Sequence, residues 1–142
     1  MKKILVINGP NLNMLGIREP DLYGKQDFKA LCKYIKACAK EIGCKVRLYQ
    51  SNHEGDLVTA IQKSYGKMDG IVINPGAYTH TSVALLDAVK ACGVPTVEVH
   101  LTDISAREEF RQISYISAAC ETRFAGLGFT GYKKALEFLC ER

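Results

Sequence analysis

The sequence predicts an α/β protein with a doubly wound parallel sheet and helices on both faces. Strand-like and helix-like segments alternate along the chain in the order β-α-β-α-β-α-β-α-β-α, which is the pattern of parallel βαβ units. In addition, Ile71, Val72 and Ile73 form an uninterrupted apolar run, and such runs are typical of strands that are buried on both faces.

The first predicted elements are a strand at residues 4–8 and a helix at residues 27–42. Apolar residues recur at three- and four-residue steps in this helix and form one stripe: Phe28, Leu31, Cys32, Ile35, Cys38, Ala39 and Ile42. Asp27 stands at a typical N-cap position, and Gly43 follows the last helical residue. The stripe predicts that this helix packs on one face of the sheet.

The second predicted strand, residues 45–50, has an alternating pattern. Val46 and Leu48 alternate with Lys45 and Arg47, so one face of the strand is polar. This alternation indicates an edge position in the sheet.

The remaining elements follow from apolar patterning and from capping residues. The predicted strands are residues 70–74, 96–100 and 118–124, and the predicted helices are residues 56–65, 81–91, 105–112 and 131–140. Ser105-x-x-Glu108 has the form of a capping box, and Thr130 stands where it could cap the last helix.

Composition narrows the class of protein. The 142 residues are 47% apolar and 24% charged with a net charge of +4, which predicts a single globular domain over residues 1–142. Basic residues form no run of five, so nucleic acid is not an expected partner. The longest apolar runs fall short of the roughly 20 residues that span a membrane. Six cysteines without a C-x-x-C motif predict reduced thiols and a cytoplasmic location.

Polar side chains concentrate where the first four predicted strands end. In open α/β sheets, ligands bind beyond the carboxyl ends of the strands. These positions hold Asn8, Asn11, Asn13, Arg18 and Tyr23; Asn52, His53 and Glu54; Asn74, Tyr78, Thr79 and His80; and Glu98, His100, Thr102 and Asp103. All three histidines of the chain are among them, so the sequence predicts a site at this edge.

The loop after the first strand is too long to be a simple connection. It reads INGPNLNMLGIREPDLYG from Ile7 to Gly24 and carries one arginine, Arg18, and one tyrosine, Tyr23. Long loops in compact domains usually bind a ligand or close over one. We expect this loop to form one wall of the site and to close over it.

Two shorter motifs allow two interpretations each. Glu98-x-His100 places both side chains on one face of a strand, either as a structural hydrogen bond or as a carboxylate that orients a catalytic histidine. The position of His100 at the strand end favours the catalytic interpretation. Asn52-His53-Glu54-Gly55 is either part of the site or only a turn that begins a helix.

Other motifs argue against nucleotide and metal sites. Residues 126–131 match G-x-G-x-x-G, but the following strand and acidic residue of a dinucleotide site are absent from the sequence. We interpret these glycines as tight-turn and packing positions. The histidines lack close ligand spacing, which disfavours a three-histidine zinc site.

The motifs together resemble type II 3-dehydroquinate dehydratases. The matching stretches are ILVINGPNLNMLGIREPDLYG, QSNHEG, VINPGAYTHTSVALLDAV, PTVEVHL, AREEFRQISYIS and GLGFTGY. The resemblance implies a flavodoxin-like fold with strand order 2-1-3-4-5. It also implies assembly into dodecamers of four trimers, and no metal or cofactor. The fold alone would also suit a flavodoxin-like binding module without chemistry.

The resemblance implies a reaction and a role for each matching residue. The reaction is dehydration of 3-dehydroquinate to 3-dehydroshikimate by anti elimination through an enolate, in the shikimate pathway or in quinate breakdown. Tyr23 would be the base, with Arg18 as its activator. Asn11 would help to hold a water that stabilises the enolate. His100, supported by Glu98, would be the acid.

The remaining matching residues resemble the substrate-binding positions of the family. They are Asn74, His80, Leu101, Thr102 and Arg111, together with Asp87, which would approach the site of a neighbouring subunit. Thr102-Asp103 stands where many members have Ser-Asn, and Ser105 where many have a larger side chain. Thr102 keeps a hydroxyl and a backbone N–H, so we expect carboxylate binding to survive. Asp103 adds a negative charge near an anionic substrate, so these changes bear on substrate affinity more than on the type of reaction.

Overall fold

The computed structural model describes residues 1–17 and 26–142, and within them the predicted sheet is confirmed. Five parallel strands are arranged in the order β2-β1-β3-β4-β5. The strands are β1 (Lys3–Asn8), β2 (Lys45–Gln50), β3 (Gly70–Asn74), β4 (Thr96–His100) and β5 (Thr122–Ala125). The edge position predicted for β2 is also confirmed.

The helices divide between the two faces of the sheet. They are α1 (Phe28–Ile42), α2 (Glu54–Lys63), α3 (Val83–Cys92) and α4 (Thr130–Cys140). Helices α1 and α4 cover one apolar core, and α2 and α3 cover a second core on the opposite face. None of the helices in the described part of the chain combines the length and apolar character of a bilayer-crossing segment.

Helix α1 forms as predicted. The Asp27 carboxylate accepts a hydrogen bond from the backbone N–H of Ala30 at 2.8 Å, and the helix ends at Gly43. Leu31 and Ile35 are fully buried in the first core. The central strands β3 and β4 are buried at every position, because helices cover both faces of the sheet there.

Three predicted helix starts are wrong. Helix α2 begins at Glu54, two residues early, and α3 begins at Val83, two residues late. The start of α3 is set by Ser82, whose Oγ accepts from the backbone N–H of Leu85 at 3.0 Å. Helix α4 already includes Thr130, which caps nothing. An apolar stripe predicts where a helix lies better than where it starts, since the start depends on which polar side chain reaches a free N–H group.

The predicted helix at residues 105–112 is also wrong. The segment instead forms two short 3₁₀ turns, Ile104–Ala106 and Glu109–Arg111. Ser105 does not form the capping box, because its N–H and its hydroxyl both donate to Oδ1 of Asp103. A local side-chain contact thus replaces the helix.

The fifth strand is shorter than predicted. Residues Ile116–Ala119 form a 3₁₀ turn, and β5 begins only at Thr122. The hydroxyl of Ser117 in this turn donates to the carboxylate of Glu98 on β4.

The glycine motif serves turns and packing, as predicted. Gly126 and Gly128 have φ angles of +79° and +58°, which L-residues with a side chain rarely adopt. A Cβ atom at Gly131 would lie 3.3 Å from Cγ1 of Val99. Helix α4 therefore approaches the sheet closely at this point.

Candidate active site

A cavity of about 200 Å³ lies at the carboxyl edge of the sheet, above the ends of β1, β3 and β4. It is smaller than the pockets of roughly 300–1,000 Å³ that hold drug-sized ligands, so it suits a small substrate. Its walls include seven of the predicted site residues: Asn11, Asn74, His80, His100, Leu101, Thr102 and Arg111.

The parallel register explains why these residues meet. Asn8 at the end of β1 pairs with Asn74 at the end of β3, and Ile73 of β3 pairs with Glu98 of β4. The segments that leave the three strands therefore start side by side. Gly9 permits the close contact between two of them, because a Cβ at this position would lie 2.4 Å from the carbonyl oxygen of Pro75.

His100 forms the polar centre of the cavity together with Glu98. Nε2 of His100 is hydrogen-bonded to Oε2 of Glu98. His100 is 5% exposed and Glu98 is fully buried. The carboxylate can only accept, so Nε2 carries a proton and Nδ1 is the ring nitrogen left for a ligand.

The carboxylate of Glu98 is kept ionised by its hydrogen bonds. Burial alone would raise its pKa, but hydrogen bonds from His100, Ser117 and Ser114 outweigh burial and hold the pKa of Glu98 below its usual range. An ionised carboxylate at this position accepts the hydrogen of Nε2, so Nδ1 is the ring nitrogen available to the cavity. The pair can therefore deliver a proton into the cavity from Nδ1.

His80 has its orientation set by the backbone. Its Nδ1 lies 2.8 Å from the carbonyl oxygen of Ile113. Because a carbonyl oxygen only accepts, Nδ1 carries the hydrogen, and Nε2 is free to contact a ligand.

Asn74 is held by a buried polar network between the sheet and α4. Its Nδ2 donates to the hydroxyl of Tyr132 at 3.0 Å, and that hydroxyl donates to Oδ1 of Asn8 at 2.5 Å. Burial raises the pKa of Tyr132, so the hydroxyl stays neutral. Oδ1 of Asn74 accepts from the N–H of Gly76 at 3.1 Å. The sequence predicted Asn74 but not this supporting hydroxyl, which comes from a helix 58 residues away.

Asn11 adopts an uncommon backbone conformation at the mouth of the cavity. Its φ angle is +69°, in the left-handed region, which asparagine tolerates better than most residues. Oδ1 of Asn52 accepts from the N–H of Asn11 at 3.0 Å, and Gln50 Nε2 donates to the same oxygen at 3.2 Å. The end of β2 therefore contributes to the site by supporting the loop after β1.

Two arginines give the cavity a positive wall. Arg111 was predicted from the sequence; Arg107 was missed, although it stands four positions earlier in the same segment. Nε of Arg111 lies 2.9 Å from Oε2 of Glu108 without a well-aligned hydrogen bond. Two guanidinium groups favour an anionic ligand such as a carboxylate.

Other predicted residues either are outside the described part of the chain or do not line the cavity. Arg18 and Tyr23 are outside the described residues, as are all residues of the predicted closing loop from 18 to 24. Asp87 is exposed on α3 and does not line the cavity. His53 precedes α2 and does not line it either, so two of the three histidines share the cavity.

Asp103 does not contribute to the wall of the cavity. Its carboxylate accepts from the hydroxyl and the N–H of Ser105, and these hydrogen bonds lower the pKa of Asp103. The residue lies outside the set that lines the cavity. The predicted effect of Asp103 on substrate affinity stays a prediction.

Comparison with known proteins decides which family has this arrangement. Residues 2–140 match the family model described as dehydroquinase class II. The chain belongs to the class II dehydroquinases. A relative from Clostridium acetobutylicum, named 3-dehydroquinate dehydratase, is 53% identical over 92% of this chain and 90% of its own. Another of the same name, from Caldicellulosiruptor bescii, is 51% identical over 99% of this chain and 98% of its own.

Solved structures of class II dehydroquinases have the same fold. The type II dehydroquinase from Butyrivibrio crossotus superimposes with a TM-score of 0.93 at 46% identity, covering 97% of each chain. The enzyme from Propionibacterium acnes gives a TM-score of 0.92 at 36% identity over the full length of both. The flavodoxin-like fold expected from the sequence is thus confirmed for this class II dehydroquinase.

Proposed function

We propose that the protein dehydrates 3-dehydroquinate to 3-dehydroshikimate in this cavity, by anti elimination through an enolate. The observation that carries the proposal is the buried His100–Glu98 pair, which leaves one ring nitrogen facing a small, positively walled cavity. Membership of the class II dehydroquinases supports the same reaction. The enzyme is thus a hydro-lyase, whether it serves the shikimate pathway or quinate breakdown.

The first step breaks a C–H bond beside the ketone. The Tyr23 phenolate removes the proton, and the electron pair moves onto the ketone oxygen to form the enolate. Asn11 helps to hold a water molecule that donates to this oxygen. Free tyrosine has a pKa of about 10, and a nearby cation favours the phenolate. Arg18 supplies that cation at every working pH.

The second step expels the hydroxyl group. The enolate re-forms the ketone, the new carbon–carbon double bond forms, and the C–O bond breaks. Nδ1 of His100 gives its proton to the departing oxygen, which leaves as water. Glu98 accepts from Nε2 of the same ring and stabilises the cation before the transfer.

The substrate is oriented through its carboxylate and hydroxyl groups. Arg111 can bind the carboxylate through two parallel hydrogen bonds, with help from Leu101 and Thr102, which line the same wall. Asn74 and Nε2 of His80 are placed to contact ring hydroxyls.

The enzyme also acts as one domain over residues 1–142 and assembles as a homododecamer of four trimers in the cytoplasm. The exposed position of Asp87 on α3 supports its contribution to a neighbouring site. All six cysteines are free thiols, which suits a reducing compartment. Light scattering after size exclusion tests the assembly; a monomeric mass at working concentration would contradict it.

An ultraviolet assay tests the reaction. Purified protein mixed with 3-dehydroquinate should produce the ultraviolet absorbance of a conjugated enone. A folded protein that produces no such absorbance would contradict the proposal. Tyr23→Phe should abolish turnover while substrate still binds; lost binding with residual turnover would contradict its role as base. Borohydride with substrate should leave activity intact, because the proposed route forms no lysine Schiff base.

A further inference from the structure

A short segment beyond β4, residues 111–117, contacts His80 of the cavity and the carboxylate of Glu98, which lies behind His100. Arg111 at its start lines the cavity. The carbonyl oxygen of Ile113 accepts from Nδ1 of His80, and the N–H of Tyr115 donates to the carbonyl of Thr79 at 3.0 Å. Ser114 and Ser117 turn instead toward β4. The 111–117 segment is thereby bonded both to the turn that follows β3 and to β4.

Both serines donate to the carboxylate behind His100. The hydroxyl of Ser114 lies 2.7 Å from Oε2 of Glu98, and the hydroxyl of Ser117 donates to Oε1. Oε2 also receives the hydrogen of Nε2 of His100. Each carboxylate oxygen therefore has a serine donor, and the imidazole is the third donor.

This arrangement resolves a physical difficulty of the pair. A fully buried carboxylate is costly unless hydrogen bonds satisfy it, and one imidazole N–H cannot satisfy two oxygens. A glutamate side chain also has three rotatable bonds, so a single contact to His100 would leave the carboxylate plane free to turn. The two serines hold both oxygens from a separate segment of the chain.

Among residues 1–17 and 26–142, few charged or titratable groups surround Glu98. His100 lies on the same strand, and Cys120 follows the 111–117 segment; burial, and secondarily the charge of Glu98, raise the pKa of the Cys120 thiol to about 12. Arg123 on β5 is the register partner of Glu98, but its side chain is exposed. Its positive charge contributes to lowering the pKa of Asp103. Among the described residues, His100 is therefore the ionisable group that contacts the Glu98 carboxylate directly.

We propose that Ser114 and Ser117 are positioning residues: they hold the Glu98 carboxylate so that the His100 proton donor, Nδ1, points at the substrate. The idea rests on the proposed role of His100 as the acid. It extends that role to two hydroxyls that act through Glu98 and do not touch the substrate.

The test compares Ser114→Ala, Ser117→Ala and the double variant with Ser105→Ala. Ser105 is a matched control, because its hydroxyl also donates to a carboxylate, Asp103, but is exposed and outside the cavity. The double variant should lose kcat by about 10- to 100-fold, the range found when outer-shell partners of metal-binding histidines are removed. KM should change less than about threefold, because neither hydroxyl contacts the substrate.

A second readout does not depend on turnover. Nitrogen-15 NMR of the substrate-free protein reports which ring nitrogen of His100 carries the proton and the pH at which the ring titrates. The wild type and Ser105→Ala should show the Nε2–H form, and the double variant a mixture of tautomers with a shifted titration. Unchanged NMR and an unchanged pH profile of kcat in a folded double variant would overturn the proposal.

The design separates failure of this proposal from failure of the proposed function. If the wild type shows no dehydration, the reaction is wrong, but the NMR comparison still decides whether the serines hold His100. If the double variant does not fold, the single variants and Ser117→Thr decide. Ser117→Thr keeps the hydroxyl and should retain most of kcat, while Ser117→Ala should not; equal activity in the two would contradict the proposal.

Discussion

The imidazole of His100 is hydrogen-bonded to the carboxylate of Glu98 on one face of β4, and both side chains are withdrawn from solvent. They stand two residues apart, so the strand itself aligns them. The local sequence places the pair together, and hydroxyls from a distant segment complete the hydrogen bonding of the carboxylate.

Replacing the proposed acid should slow the reaction without preventing binding. His100→Gln should lower kcat by about 10²- to 10⁴-fold, the usual contribution of general acid catalysis, because no proton donor then faces the departing hydroxyl. Steady-state kinetics with 3-dehydroquinate measures this loss. His53→Gln is the matched control, since His53 is exposed and outside the cavity; equal losses in the two variants would contradict the assignment.

The buried carboxylate of Glu98 should make the free energy of unfolding depend on pH in the acid range. The pKa of Glu98 is lower in the folded protein than in an ordinary glutamate, for which it is about 4.3. Its ionised form therefore stabilises the fold fully above about pH 4.3, and this contribution is lost as the pH falls through the folded-state pKa. Urea unfolding should show wild type more stable than Glu98→Gln at pH 7, with a difference that narrows below about pH 4.

The control for this prediction is a glutamate without such surroundings. Glu141→Gln removes an exposed carboxylate near the chain end and should shift stability by less than about 0.5 kcal/mol at either pH. A difference between wild type and Glu98→Gln that stays constant from pH 7 to pH 3.5 would show that hydrogen bonding to the ionised form is not its cause.

Removing the buried hydroxyl of α4 should affect both stability and substrate binding. Tyr132→Phe leaves Nδ2 of Asn74 and Oδ1 of Asn8 without their shared partner, which costs about 1–3 kcal/mol. Asn74 lines the cavity, so KM should rise severalfold. Tyr65→Phe, at a side chain that is 72% exposed, should change neither. Chemical unfolding and steady-state kinetics measure the two effects, and an unchanged KM in Tyr132→Phe would show that the hydroxyl does not position Asn74.

Two glycines should respond to alanine in opposite directions. At Gly9 a Cβ would lie 2.4 Å from the carbonyl oxygen of Pro75, whereas at Gly55, in the first turn of α2, it would meet nothing within 4 Å. Gly9→Ala should destabilise by about 1–3 kcal/mol through overpacking and lower activity, since the cavity walls must separate. Gly55→Ala should stabilise by up to about 1 kcal/mol. Thermal unfolding of both variants is the measurement, and equal melting temperatures would contradict the close contact.

Much of the fold was predictable because it depends on local patterns. The stripe of α1, its Asp27 cap and the uninterrupted apolar run of β3 each arise from neighbours in sequence, and each forms as expected. The segment 105–112 was not predictable in this way. Its sequence matches a capping box, but Ser105 donates to Asp103 instead. A sequence does not show which of two competing short-range hydrogen bonds forms.

The sequence by itself determined the alternation of strands and helices, the edge position of β2, and which residues stand at the strand ends. These features depend on the spacing of apolar and polar residues along the chain, which can be read directly from the sequence. Only the tertiary structure decided that Arg107 shares the cavity wall, that Tyr132 holds Asn74, and that two serines hold Glu98. Those contacts join residues 16 to 58 positions apart, and their partners are chosen by how the loops pack over the sheet, for which no local pattern exists.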